Sequence, residues 1–308
     1  MTAEFSRYMQ QGIPVVNHFL DEYLYFNTGE YQSKLLALVQ WITSISISDL
    51  QGKVLVHVQS MFYESSLTFK CEIIRTLRIL ITNLFVNQGF EGCHQNTPAL
   101  FLGQGPVDNL EDILPILIKV SEDLITSGLN IHCYDILLLS EALSFYEQVC
   151  LLENRSSIQS FTLAPAAVIY GGFVSKSCAI LSRICKLLLR YREISLKFNN
   201  RKLRNLFKAK MDTLCLYAKD IVGALWYDKP FADRSNAYFL NSIPDKVVKD
   251  LADCDLDRLL NINNHYAILP YKWTLRKAGL HIDTKEDAMS TALHYYPNVN
   301  EFLGIFQT

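Results

Sequence analysis

The chain lacks the short motifs around which catalytic sites are usually built. It has no Gly-x-x-x-x-Gly-Lys-Ser/Thr, no His-Glu-x-x-His and no Gly-x-Ser-x-Gly. Phosphate-cradling loops, zincin helices and nucleophile elbows therefore have no local signature. It also lacks Cys-x-x-Cys: Cys71, Cys93, Cys133, Cys150, Cys178, Cys185, Cys215 and Cys254 are spread singly. Cysteines on apolar helical faces behave as small hydrophobes, and this usage fits a reducing compartment, cytosol or nucleus. No apolar run reaches bilayer length. The most apolar stretch, Ile136 to Phe145, is interrupted by Glu141 and is too short. The opening residues, Met1 to Arg7, show no basic region followed by an apolar one, so no secretory leader is expected. The sequon Asn154-Arg155-Ser156 is then a chance match.

Charge is scarce as well. Charged residues make up 19% of the chain and hydrophobic ones 50%, against about 25% charged in an ordinary globular domain. Mean hydropathy is slightly positive. A chain this apolar buries its helices on two sides or keeps a large surface against partners. Its 308 residues suffice for two compact domains or one elongated repeat array. The net charge is −2, so nothing global draws it toward nucleic acid or membrane.

What the chain has in abundance is helical periodicity. Leu67, Cys71, Ile74, Leu77, Ile81 and Leu84 recur every three or four residues between Ser66 and Asn87, with Lys70, Glu72, Arg75 and Arg78 taking much of the rest. Ile136, Leu139, Leu143, Tyr146 and Cys150 do the same between Tyr134 and Asn154. Leu203, Phe207, Met211, Leu214, Ile221 and Leu225 form a stripe between Asn200 and Tyr227. Further helices are expected near 14–26, 31–42, 48–63, 110–126, 167–195, 244–254 and 285–294. The alternating segment Ile42–Ser48 lies between two strong helices and reads as their connection. The longest irregular stretch runs from Asn87 to Asn109, with Gly89, Gly92, Pro98, Gly103, Gly105 and Pro106. Leu163–Phe173 contains Pro165 and Gly171-Gly172, which break or delay its helix. Helix pairs of roughly 40 residues resemble HEAT-type spacing. We therefore expect an all-α fold, an α-solenoid of HEAT-like helix pairs over residues 1–231. Residues 232–308, where Tyr266, Tyr271, Trp273, Tyr295, Tyr296 and Phe302 stand among polar residues, would form a helical cap on the same solenoid.

Candidate chemistry is thin. Gly103-Gln104-Gly105-Pro106 has no following Lys-Ser and reads as a loop. Cys93-His94 and His132-Cys133 are adjacent pairs, whereas zinc ligands stand two to four residues apart so that both reach one ion. His18, His57, His265, His281 and His294 have no carboxylate or cysteine at ligand spacing and are expected at the surface or core edge. No cofactor, metal or catalytic residue is assigned.

The basic tract is sharper. Arg183, Lys186, Arg190, Arg192, Lys197, Arg201, Lys202, Arg204, Lys208 and Lys210 face a single acid, Glu193, within residues 183–210, leaving a local net charge of +9. Two helices meet near Phe198-Asn199-Asn200, which gathers these charges at one edge. Such an edge suits DNA phosphates or an acidic protein segment; the plain alternative is a solvated face. Tyr191 and Phe198 within it are read as helix anchors.

Several segments together resemble the centromere protein I family. They are Leu38-Val39-Gln40-Trp41-Ile42, Leu67-Thr68-Phe69-Lys70-Cys71, Ser144 to Cys150, Leu163-Ala164-Pro165-Ala166, Ile184 to Arg192, and Val222 to Phe231, which closes on Trp226-Tyr227-Asp228-Lys229-Pro230-Phe231. Their order carries the resemblance across residues 10–231. Members are longer, and the chain resembles their C-terminal half. The resemblance implies a non-enzymatic scaffold of the inner kinetochore, in the nucleus at the centromere. It implies helical partners like centromere proteins H and K, other inner-kinetochore subunits, and a question of direct contact with centromeric DNA. No membrane or small-molecule substrate is implied. A general helical-repeat adaptor, in nuclear transport or on DNA, stays open. The contact residues expected are Arg190, Lys197, Arg201, Lys202, Arg204 and Lys208. The structural anchors expected are Trp41, Tyr146, Trp226 and Phe231.

Overall fold

The computed structural model describes residues 2–9, 12–25, 31–42, 46–88, 110–198, 201–227, 246, 249–250, 253 and 259–306. Among them every regular element is helical. Contacts divide the chain into two compact units, Met1–Thr162 and Leu163–Thr308.

The first unit is built around one long helix. Its elements are α1 (Thr2–Met9), α2 (Pro14–Tyr25), α3 (Gln32–Val39), α4 (Ile47–Asp49), α5 (Val56–Glu64), α6 (Leu67–Gln88), α7 (Leu110–Ile131) and α8 (Ile136–Arg155). A π-helical turn, Leu50–Leu55, joins α4 to α5. Helix α6 packs chiefly on α8 and α7, and also on α3 and α5. It buries the expected Cys71, Ile74, Leu77, Ile81 and Leu84, and also Ile73, Leu80 and Phe85. A stripe that wide puts apolar surface against several neighbours at once. Polar ties mark the packing: Ser33 Oγ donates to Glu72 at 3.1 Å, Asn83 Nδ2 to the Gln40 carbonyl at 2.7 Å, and Arg75 pairs with Glu141.

Two expectations are corrected here. Lys70 is buried rather than on the polar face. Its ammonium donates to the Ser65 carbonyl and stands 5.3 Å from the Phe62 ring centre, so it caps the end of α5 while its stem fills the core. Burial holds its pKa below the usual lysine value. Ile136, placed in the buried stripe, is exposed, because α8 begins there beneath an Asp135 cap that accepts from the Leu137 N–H at 2.8 Å. Helix α7 runs on to Ile131 and passes through Pro115. Gly128 lets α7 approach closely: a Cβ there would lie 2.8 Å from Phe62 Cζ.

The second unit surrounds α10 (Cys178–Lys197) with α9 (Ala166–Phe173), α12 (Lys208–Leu225) and the last helix. Between them lie α11 (Arg201–Leu206), α13 (Leu269–Lys277), a turn at Lys285–Asp287, and a π-helical turn at Ala288–Ala292; α14 (Pro297–Phe306) closes the order. The helix expected over 167–195 is two helices. The Gly171-Gly172 pair sits inside α9 rather than in a gap. A Cβ at Gly172 would meet Ile184 Cγ1 at 2.6 Å, so glycine serves the close crossing of α9 and α10. The helix expected over 200–227 is interrupted at Phe207. Helices α13 and α14 were not expected, and α14 packs on α10 and α12. The segments 87–109 and 244–254 lie mostly outside the described residues, and so does the 231/232 boundary.

His265 is the clearest correction. It is fully buried in the second unit, not at a surface or core edge. Its Nδ1 accepts from the Ala267 N–H at 3.1 Å, and its ring lies 5.4 Å from that of Phe173. Burial pulls its pKa down to about 4, opposed by the Phe173 backbone.

Candidate interaction surface

The segment Leu163-Ala164-Pro165-Ala166 is held by two tyrosines. Ala164 N–H donates to Tyr191 Oη of α10 at 3.2 Å, and Tyr217 Oη of α12 donates to the Ala164 carbonyl at 3.3 Å. Tyr191 is fully buried, which makes it an anchor, as expected. Tyr170 of α9 donates to Asp220 of α12 and meets Tyr217 edge-on at 5.5 Å. These bonds fix α10 and α12, the helices that carry the basic tract.

Helix α10 presents its charges narrowly. At 3.6 residues per turn, Arg183, Lys186, Arg190 and Lys197 fall within a sector of about 60°. Eleven of its twenty residues are buried on its other sides. Lys186 and Lys197 are exposed, and Arg183 and Arg190 half-buried. Arg192 points elsewhere, its guanidinium 5.8 Å from the Phe306 ring of α14. Glu193 is exposed beside the basic sector.

At the end of α10 the chain turns a corner around an aromatic pair. Phe198 and Phe207 are buried and stacked, with centroids 5.1 Å apart and planes 29° apart. Arg204 Nε donates to the Phe198 carbonyl at 2.8 Å, an orphan acceptor at the end of α10. Arg204 therefore holds the corner as well as charging it. Lys210 Nζ lies 6.0 Å from the Phe207 ring. Lys202 and Lys208 are exposed; the Arg201 side chain lies outside the described residues. Leu196 and Leu206, 60% and 68% exposed, flank the same pair. Sequence reasoning missed them. Leu196 carries no signal, because by helical phase it falls on the apolar face of α10, between Cys185 and Leu189.

The expected anchors divide. Tyr146 is fully buried, edge-on to Phe145 at 5.2 Å. Trp41 is half-buried just beyond α3. Trp226 is half-buried at the end of α12, where its N–H donates to the Val222 carbonyl at 2.9 Å. Lys285 donates to the Trp226 carbonyl and stands 5.6 Å from its ring. Phe231 lies outside the described residues.

Other chemistry is not gathered. Among the described residues no three His, Cys, Asp or Glu are placed to share a metal ion, and no helix is long and apolar enough to cross a membrane. His132 is half-buried, and Cys133, at φ 48°, is exposed in the α7–α8 turn; Cys93 and His94 lie outside the described residues. Burial pushes the Cys71 thiol up to about 11 and Cys178 up to about 12, which suppresses thiolate chemistry.

Charge separates by unit. Residues 1–162 hold eight Lys and Arg against seventeen Asp and Glu, a net −9; residues 163–308 hold twenty-one against fourteen, a net +7.

Comparison with known proteins points one way. The family model described as CENP-I: Mis6 matches residues 2–96. A chicken protein (Gallus gallus) named Centromere protein I is 25% identical over 276 residues, covering 86% of this chain and 36% of that protein. Its rat counterpart (Rattus norvegicus) is 24% identical over 282 residues, covering 88% and 36%. The mouse protein (Mus musculus) is 24% identical over 278 residues, covering 86% and 36%. The chain thus spans about a third of the length of these relatives, rather than half. At 86% of 308 residues, the similarity also extends past residue 231, where the family motifs legible in the sequence end.

Proposed function

We propose that this relative of the centromere protein I family is a non-enzymatic helical scaffold of the inner kinetochore, acting in the nucleus at centromeric chromatin. The observation that carries the reading is similarity to Centromere protein I along most of the chain, coupled to an all-helical architecture among the described residues. Because the chain spans 36% of those relatives, its partners are proposed as those of a larger assembly: helical subunits like centromere proteins H and K, and other inner-kinetochore subunits.

The helix pairs are read as an α-solenoid of HEAT-like repeats over 1–231, with 232–308 as its cap. Supporting the cap, the Ile262 N–H donates to the Leu225 carbonyl at 3.0 Å, and Lys285 reaches the Trp226 carbonyl. Both close the C-terminal end of α12, whose carbonyls would otherwise need solvent. Trp226 is read as structural for the same reason. The basic sector of α10 and its corner, with Arg190, Lys197, Arg201, Lys202, Arg204 and Lys208, are read as the contact for an acidic partner segment or for DNA, with protein favoured because Leu196 and Leu206 are exposed beside the charges.

Co-expression with H-like and K-like subunits of the same organism tests the scaffold. A stable complex on size exclusion, and enrichment of the tagged protein at centromeres, are expected. A chain that stays apart from them and spreads through the nucleus would instead be a general helical-repeat adaptor.

A further inference from the structure

We infer that the corner between α10 and α12 is a docking site for an acidic amphipathic helix of a protein partner. This rests on the scaffold reading and names the chemistry of one partner. Two exposed leucines decide the class of occupant. Leu196 and Leu206 are 60% and 68% exposed and lie within two residues of the stacked, buried Phe198–Phe207 pair. The pair and the Arg204 bond to the Phe198 carbonyl give them a fixed mount. Lys197, Lys202, Lys208 and Lys210 are exposed beside them.

Phosphate recognition uses cations and hydrogen-bond donors, and a leucine adds nothing to it. Protein interfaces combine an apolar centre with a charged rim, and lysine stems extend the apolar area while their ammonium groups stay in water. The matching occupant carries leucines at three- and four-residue spacing with Glu or Asp on their flanks, the helix-in-groove mode of recognition. Charge complementarity comes from the tract itself, ten basic residues against Glu193 alone across 183–210.

The test uses the purified chain and three fluorescent probes. One is a designed amphipathic peptide of Leu and Glu at that spacing, one is its scramble, and one is a DNA duplex of about 30 base pairs. Anisotropy is read at about 50 and 200 mM salt. The amphipathic peptide should bind about tenfold or more tightly than its scramble. Leu196→Ser with Leu206→Ser should weaken the peptide by about tenfold while circular dichroism is unchanged. Lys202→Glu with Lys208→Glu should weaken it similarly and flatten its salt dependence. Leu206→Lys alone, a solvent-compatible change, should also weaken the peptide. Duplex binding tighter than peptide binding and indifferent to both leucines would assign the corner to nucleic acid. Equal binding of peptide and scramble, or no effect of any variant, would make it a solvated face. Either outcome overturns the inference and leaves the scaffold standing, since that is judged by co-expression with the helical subunits.

Discussion

The two units bury comparable cores yet oppose each other in charge. The first carries −9 and the second +7, within a chain whose total of −2 hides both. They also use long polar side chains differently. In the first unit Lys70 is taken into the core to cap α5, and Arg75 ties α6 to Glu141 of α8. In the second, Lys272 is likewise buried and donates to the Asn263 carbonyl at 3.4 Å, but tyrosines and a histidine add most of the internal ties, through Tyr191, Tyr217, Tyr170 and His265, and further cations gather on one sector of α10 and at its corner. A whole-chain charge is thus a poor guide to what such a protein binds; the charge of each unit is the useful quantity.

The largest effects should come from the cores. Leu77→Ala in α6 and Leu214→Ala in α12 remove side chains that are almost fully buried, and each should cost roughly 2–5 kcal/mol. The three tryptophans make the comparison readable, since Trp41 reports on the first unit and Trp226 and Trp273 on the second. Leu77→Ala should lower the denaturation midpoint seen by Trp41, and Leu214→Ala that seen by the other two. Equal shifts at both reporters would mean that the units melt as one and that their division has no energetic meaning.

Acid should separate the units next. His265 is neutral in the folded state, its pKa pulled by burial to about 4, against about 6.5 for an ordinary histidine. The unfolded chain therefore takes up a proton first as the pH falls. The stability this group contributes is whole above about pH 6.5 and is lost between there and pH 4, on the order of 3 kcal/mol in full. Protonation would also set an N–H against the Ala267 N–H that Nδ1 now accepts. We expect His265→Gln to lower stability at pH 7 but to flatten its decline between pH 6.5 and 4.5. An unchanged slope would show that other groups carry the acid sensitivity.

A paired glycine test is smaller. At Gly172 an added Cβ meets Ile184 Cγ1 at 2.6 Å, whereas at Gly128 it meets the tip of the Phe62 ring at 2.8 Å. A ring can tilt more freely than the branch of an isoleucine buried in α10. Gly172→Ala should cost about 1–3 kcal/mol, and Gly128→Ala less. The reverse order in urea melts would show that α7 is the more tightly held crossing. Smallest is the pair Arg75–Glu141. Arg75 is half exposed, so a double-mutant cycle should give a coupling of about 1 kcal/mol or less; a much larger value would mean that α6 and α8 depend on charge rather than on packing.

How much of this could be read beforehand follows from which contacts are local. The stripes of α6, α8 and α12 were legible because three-four spacing is written into consecutive turns, and Leu77, Leu139 and Leu214 are buried as expected. The α9–α10 crossing was not, because Gly172 looks like a helix breaker until Ile184 is seen against it. Lys70 and His265 were misplaced for a related reason: a polar residue enters a core only when a distant group receives it, here the Ser65 carbonyl and the Ala267 N–H, and periodicity does not show where the chain returns. Helix α13 has no apolar stripe, burying only Lys272, and the stripe of α14, Val299, Phe302, Leu303 and Phe306, is a single short run of about two turns. At the candidate surface the charges were legible and their division was not. Arg192 turns to Phe306, Arg204 holds the Phe198 carbonyl, and only the folded corner exposes Leu196 and Leu206 together.

The contrast between units comes to a single comparison of binding. One variant carries Lys197, Lys202, Lys208 and Lys210 changed to Glu in the second unit; the other carries Glu111, Asp112, Glu122 and Asp123 changed to Lys in the first. Affinity for the co-expressed helical subunits is measured for both across a salt series, with circular dichroism confirming that each is folded. Contact through the second unit predicts a loss of about tenfold or more for the first variant, shrinking as salt rises, and little change for the other. Equal losses, or a loss confined to the variant in the acidic unit, would contradict it.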